Sequence, residues 1–146
     1  DKGLTQLLMG ENTFDEVVAK DELSGLHYIR AISDTPHSNQ LLGSQKMSDV
    51  LAEARSRYDV VILDSPPVMA LSDTLMLAPK ADAIIFLARW GETSRELVKS
   101  ALKRLATAGT KLAGIVLNRV DIEQYERYEY GESGDYHSEY KAYYNN

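Results

Sequence analysis

Val60-Val61-Ile62-Leu63 is an unbroken run of β-branched and aliphatic residues, and Asp64-Ser65-Pro66-Pro67 stops it abruptly. A run without polar alternation suits a strand buried on both faces, the setting of a parallel sheet covered by helices. Proline lacks the backbone donor that a ladder requires, so two in succession turn the chain out of the sheet. No other feature narrows the fold as much, because such a strand needs parallel neighbours and crossover helices around it.

The flanking sequence supplies both. Leu26 to Ala31 alternates enough for a short strand, and Ser33 to Asn39 reads as a loop with Asp34, Pro36 and Asn39 as turn formers. From about Gln40 to Arg57 the pattern is helical, with Met47, Val50, Leu51 and Ala54 on one face. A second helix is expected over about Leu71 to Ala78, and Ala83 to Ala88 reads as another buried strand. Thr93-Ser94-Arg95-Glu96 fits a capping box. The helix it opens carries Leu97, Val98, Ala101, Leu102, Leu105 and Ala106 on one stripe, with Gly109 placed as its C-cap. Leu112 to Leu117 is strand-like and runs into Asn118-Arg119-Val120-Asp121. This alternation predicts an α/β domain over residues 1–121: a parallel sheet with helices on both faces, three-layered and Rossmann-like. Ligands of such sheets lie beyond the carboxyl ends of the strands, where Asp64 and Asn118 both fall.

Composition removes several classes of function. The 146 residues suffice for one domain core, and the net charge of −6 comes with no Lys/Arg cluster, which excludes nucleic acid as an expected partner. The absence of cysteine excludes disulfides and thiolate metal sites, and His27, His37 and His137 have no ligand spacing. No apolar run approaches the ~20 residues that span a bilayer, and no signal-peptide pattern opens the chain, so this segment is expected to be soluble. It opens at Asp1 without a methionine, which suggests a fragment. Residues 122–146 differ in character. Seven of the nine tyrosines lie there: Tyr125, Tyr128, Tyr130, Tyr136, Tyr140, Tyr143 and Tyr144, set among acidic and small residues. Ile122 to Tyr130 can extend a helix, while the remainder lacks the apolar surface to order itself and reads as a mobile tail.

Asp64 is the foremost candidate for chemistry. A hard Mg²⁺ ion takes oxygen ligands and reaches a protein through one or two carboxylates and retained waters, which an Asp at a strand's end can supply. The alternative is an Asp that caps the following turn. Asp73 poses a similar choice between capping its helix and orienting a metal shell.

Val-Val-Ile-Leu-Asp-Ser-Pro-Pro at 60–67 resembles the Walker B segment of the bacterial tyrosine kinases, members of the deviant-Walker group of P-loop ATPases. Gly3-Leu4-Thr5-Gln6-Leu7-Leu8-Met9-Gly10, Leu41-Leu42-Gly43-Ser44, Ser72-Asp73, Ala81-Asp82 and Gly114-Ile115-Val116-Leu117-Asn118 are similar to further segments of that family, in order along the chain. The resemblance implies a P-loop-type domain of a protein-tyrosine autokinase that uses ATP and Mg²⁺ and regulates capsule or exopolysaccharide synthesis. It gives Asp64 the catalytic and metal-holding role. Asn118 would contact the adenine, since a side-chain amide both donates and accepts hydrogen bonds, with Arg119 beside it. An Asn that ends a strand and an Arg in solvent are the plain alternatives. The resemblance makes the tail tyrosines sites of autophosphorylation. It further implies a ring-like homo-oligomer for trans-phosphorylation, a membrane regulatory domain or protein, a cognate tyrosine phosphatase, and residence at the cytoplasmic face of the cell membrane. The rivals are a positioning ATPase of the same superfamily and a truncated, non-catalytic interaction module.

One departure matters. No Gly-x-x-x-x-Gly-Lys-[Ser/Thr] loop occurs in the 146 residues, so the backbone cradle for phosphates is missing. The expectation is a chain that begins after that loop and, alone, neither binds ATP tightly nor phosphorylates. Ile32 replaces a glycine of the family, and His37-Ser38 an Asn-Pro.

Overall fold

A computed structural model of the chain describes residues 2–31, 38–70, 72–122 and 124–125. Its largest core forms where short amphipathic helices meet. Helix α1 (Leu4–Met9) ends at Gly10, whose φ of 79° lets its amide turn back to the Gln6 and Leu7 carbonyls. Helix α2 (Phe14–Val17) follows, held at its start by Glu16, which accepts from the Thr13 backbone N–H at 2.8 Å. A two-stranded antiparallel ribbon comes next, β1 (Ala19–Lys20) against β2 (His27–Tyr28). The strand expected over 26–31 is thus only two residues long and joins a ribbon, not the parallel sheet. Asp21 shapes that ribbon's turn by accepting from both the N–H and the hydroxyl of Ser24, at 2.8 and 2.5 Å.

The helix expected from Gln40 to Arg57 is two helices, α3 (Ser38–Gly43) and α4 (Gln45–Arg57). Ser44 divides them. Its backbone is extended, with ψ at 163°, and its hydroxyl accepts from the Met47 N–H at 3.3 Å. One residue cannot both cap a helix in that way and continue another. Met47, Val50, Leu51 and Ala54 are all buried, as their spacing required, against Leu7, Leu8, Phe14, Val17 and Leu77. Leu77 belongs to α5 (Asp73–Leu77), shorter than the helix expected over 71–78 and continued by a 3₁₀ turn at Ala78–Lys80.

The second core is smaller. Strand β3 (Ile84–Arg89) pairs in parallel with β4 (Leu112–Asn118), the register running from Ile85 opposite Gly114 to Arg89 opposite Asn118. Helix α6 (Arg95–Thr107) connects them, and its Ala101 and Leu105 are buried with Val68 and Ala78 beside Ile84 and Phe86. The capping box read at Thr93 is displaced by one residue. Ser94 is the N-cap and accepts from the Leu97 N–H at 3.2 Å, while the Thr93 hydroxyl accepts from the Arg89 N–H at 2.9 Å. Leu97 and Ala106 of the expected stripe are exposed, because only one part of α6 meets a partner.

The largest difference concerns 60–63. This run forms no strand, makes no ladder bond to any described residue, and leaves Val60 and Ile62 74% and 82% exposed. Strand structure belongs to a pair of backbones, so suitable side chains without a partner backbone form no strand. Accordingly the single four-stranded parallel sheet of the sequence reading is, among the described residues, one parallel pair. The loop expected at 33–39 falls largely on 32–37, outside the described residues, together with Ile32 and His37; Ser38 already starts α3.

Candidate functional site

Asp64 lies between two anchored apolar residues. Leu63 packs against the first core and Val68 is buried in the second, so the exposed carboxylate sits where the chain crosses from one to the other. Prolines 66 and 67 contribute no backbone donors, and their carbonyls need donors from elsewhere. The Thr74 hydroxyl donates to the Pro66 carbonyl at 2.7 Å, and the Ala70 N–H to the Pro67 carbonyl at 2.9 Å. One residue further, the Val68 carbonyl accepts from the Arg104 guanidinium at 3.4 Å. The 64–70 loop is therefore tied to α5 and α6. Sequence reasoning overlooked Thr74 and Arg104. The Pro-Pro pair signals a need for outside donors without saying which residues supply them.

Asp73 opens α5 as its first residue, with Ser72 in the N-cap position, so its charge complements the helix's N-terminal end. The cap itself is thus Ser72 and not Asp73.

A groove of about 820 Å³ runs beside the site. It is lined by the 61–64 segment, by Ile84, Ile85 and Leu87 of β3, and by Leu51 and Leu77 of the helical core. An ion pair between Arg55 and Asp82, 2.8 Å apart, lies at its rim.

Asn118 ends β4, as expected, but its amide is partly committed. The side-chain oxygen accepts from the Arg119 N–H at 2.8 Å, and its backbone carbonyl accepts from the Trp90 N–H at 2.9 Å. The Nδ2 donors and the second lone pair of Oδ1 are then left for a base edge, and Arg119 is held in the left-handed region at φ 55°. Asp64 lines the groove with Ile84, Ile85 and Leu87, whereas Asn118 ends β4 opposite Arg89. Tyr125 is exposed, and its N–H donates back to the Asp121 carbonyl at 2.8 Å, closing a helical turn. Tyr128, Tyr130, Tyr136, Tyr140, Tyr143 and Tyr144 lie outside the described residues.

A lone carboxylate fits Mg²⁺, which binds through one or two carboxylates and keeps several waters. No group of three or more His, Asp or Glu side chains able to hold a metal exists among the described residues. The phosphates of a nucleotide fit less well, since no glycine-rich loop is present in the sequence. Among the described residues no helix is long and apolar enough to cross a membrane.

No protein-family model matches the chain. Individual proteins do. A putative tyrosine-protein kinase, EpsB, from Ralstonia nicotianae is 33% identical over 130 residues, which are 88% of this chain and 17% of that protein. The succinoglycan biosynthesis transport protein ExoP of Rhizobium meliloti is 30% identical over 146 residues, covering 97% of this chain and 19% of its own. Among solved structures, the VpsO kinase domain superposes with a TM-score of 0.77 at 34% identity, over 82% of this chain and 59% of that domain. The chain thus spans less than a fifth of these two curated relatives and somewhat over half of a solved kinase domain.

Proposed function

Because the chain is homologous to the kinase domains of bacterial tyrosine kinases and shares their P-loop NTPase-like fold, we propose that it is part of a protein-tyrosine autokinase. In this reading Asp64 would hold Mg²⁺, whose charge would offset that of the ATP phosphates. The exposed, doubly anchored carboxylate of Asp64 is the observation that carries the reading. Asn118 turns its Nδ2 donor to the adenine and Arg119 stands beside it. The acceptors are Tyr125, Tyr128, Tyr130, Tyr136, Tyr140, Tyr143 and Tyr144, presented to a neighbouring copy in a homo-oligomer. The phenolic oxygen bonds to the γ-phosphorus as the bond to the ADP oxygen breaks, and its proton passes to Asp64 or to solvent. Phosphoryl transfer of this kind has a loose transition state, so positioning and charge neutralisation matter more than a strong base. Each phosphate adds roughly −1.5 to −2 charges to an already acidic segment, and the repulsion loosens the oligomer.

The ExoP relationship supports a role in polysaccharide synthesis or export; a membrane regulatory partner and a tyrosine phosphatase as the opposing activity complete the proposal. The missing glycine-rich loop favours a second reading for the 146 residues alone, a non-catalytic interaction module.

The test is an autophosphorylation assay on the chain joined to the rest of its kinase domain, beside Asp64→Asn and a form without residues 122–146. The expected outcome is phosphotyrosine that falls at least about a hundredfold in both altered forms. ATP hydrolysis without phosphotyrosine would establish a positioning ATPase instead, and neither activity would establish the interaction module.

A further inference from the structure

Thr74 lies in the first turn of α5, where a threonine hydroxyl commonly bonds to a nearby backbone group of its own helix. Here it reaches eight residues back and donates to the Pro66 carbonyl at 2.7 Å, from a half-buried position. That bond ends two residues after the carboxylate proposed to hold Mg²⁺, and Thr74 and Asp64 line the same groove. Threonine is β-branched and stiff at χ1, so the helix that carries it sets the direction of its hydroxyl. The helix is itself held: Leu77 is buried in the first core, and Ala78, the next residue, in the second.

Backbone restriction carries this constraint to Asp64. The rings of Pro66 and Pro67 fix their φ angles. Ser65 and Pro66 each precede a proline, and such residues favour the extended region. Between the Asp64 α-carbon and the Pro66 carbonyl the soft torsions are then few, chiefly ψ of Asp64 and φ of Ser65. Fixing the direction of that carbonyl therefore fixes the peptide from which the carboxylate hangs. Asp64 is exposed, so its backbone must aim it, since burial does not. Arg104 also reaches this loop, but at a longer 3.4 Å and two residues further from Asp64, on the Val68 carbonyl.

We infer that Thr74 is a positioning residue for Asp64: its hydroxyl, held on the Pro66 carbonyl, sets the backbone direction that aims the carboxylate at Mg²⁺. The inference rests on the reading of Asp64 as the metal-holding residue, and Thr74 itself touches neither metal nor nucleotide. Mg²⁺ demands near-octahedral geometry and is bound through few protein ligands, so the direction of a single carboxylate matters. Groups that orient a metal ligand from behind typically change metal affinity or activity by about 10–100-fold when they are lost.

A Mg²⁺ titration of ADP binding tests it, on the chain joined to the rest of its kinase domain and with a fluorescent ADP as the probe. Thr74→Val keeps the branched shape and removes the hydroxyl, while Thr74→Ser keeps the hydroxyl. The Mg²⁺ concentration for half-maximal binding is expected to rise about tenfold in Thr74→Val and to return to within about twofold in Thr74→Ser. ADP binding without metal should be the same in all forms. Thr74→Ala replaces the valine variant if valine disturbs α5. Asp64→Asn, measured alongside, should abolish the Mg²⁺ dependence. An unshifted titration in the variants without the hydroxyl, a shift that serine fails to reverse, or an equal loss of metal-free binding would overturn the inference and leave Asp64 its role. A Mg²⁺ dependence that survives Asp64→Asn would overturn the metal reading of Asp64, and the inference with it.

Discussion

The helical half of the molecule and its sheet half differ in how far they can finish themselves. Around α4 every side chain that the pattern assigns to the core is buried, whereas Val60, Ile62, Ile85 and Leu87 are apolar and lie open. Helices bond their own backbones within the segment and need only one apolar face covered. A parallel strand needs two neighbours and two covering layers, and it stays unfinished if any is missing. The same apolar content thus yields a closed core in one place and an open groove in another.

Truncating side chains on both sides sharpens this contrast most. Met47→Ala should cost about 2–5 kcal/mol in urea unfolding, since it opens a cavity in the first core. Ile62→Ala should change stability by less than about 0.5 kcal/mol in the same experiment, as expected for an exposed site. Equal losses would mean that the 60–63 run is packed in solution and the groove is closed.

A smaller effect separates the two candidate caps of α6. Ser94→Ala should cost about 1 kcal/mol because the Leu97 N–H loses its acceptor. Thr93→Ala should cost less, since its hydroxyl serves the Arg89 N–H in a turn. The reverse order would restore the capping box at Thr93.

The smallest effect belongs to the helical half. The Thr13 backbone N–H, then its hydroxyl, hold the Glu16 carboxyl down to about 2 from an ordinary 4.5. A depressed carboxylate adds stability that is fully present above about 4.5 and fades as pH falls towards about 2. Glu16→Gln should flatten that part of the stability profile in chemical denaturation across the acid range. An unchanged acid limb would show that the cap does not persist in solution.

Sequence periodicity located α4, α6, β3 and β4 to within a few residues, because each carries its own pattern. It missed the break at Ser44, where a good helix former's neighbour becomes a cap, and the one-residue shift from Thr93 to Ser94. Both turn on which hydroxyl meets which N–H, and Ser or Thr suits either place equally. For the site, Asp64 was legible from the run that precedes it, and Asn118 from its place at the end of β4. Thr74 and Arg104 were not, since their role is to reach carbonyls far along the chain.

By itself the sequence determined the α/β alternation, the amphipathic faces and the family resemblance, all of them properties of residues read in order. Only the tertiary structure decided that 61–63 lines a groove and that 60–63 is not a sheet strand. A helix carries its hydrogen-bond partners within its own segment, and a strand must find them on another.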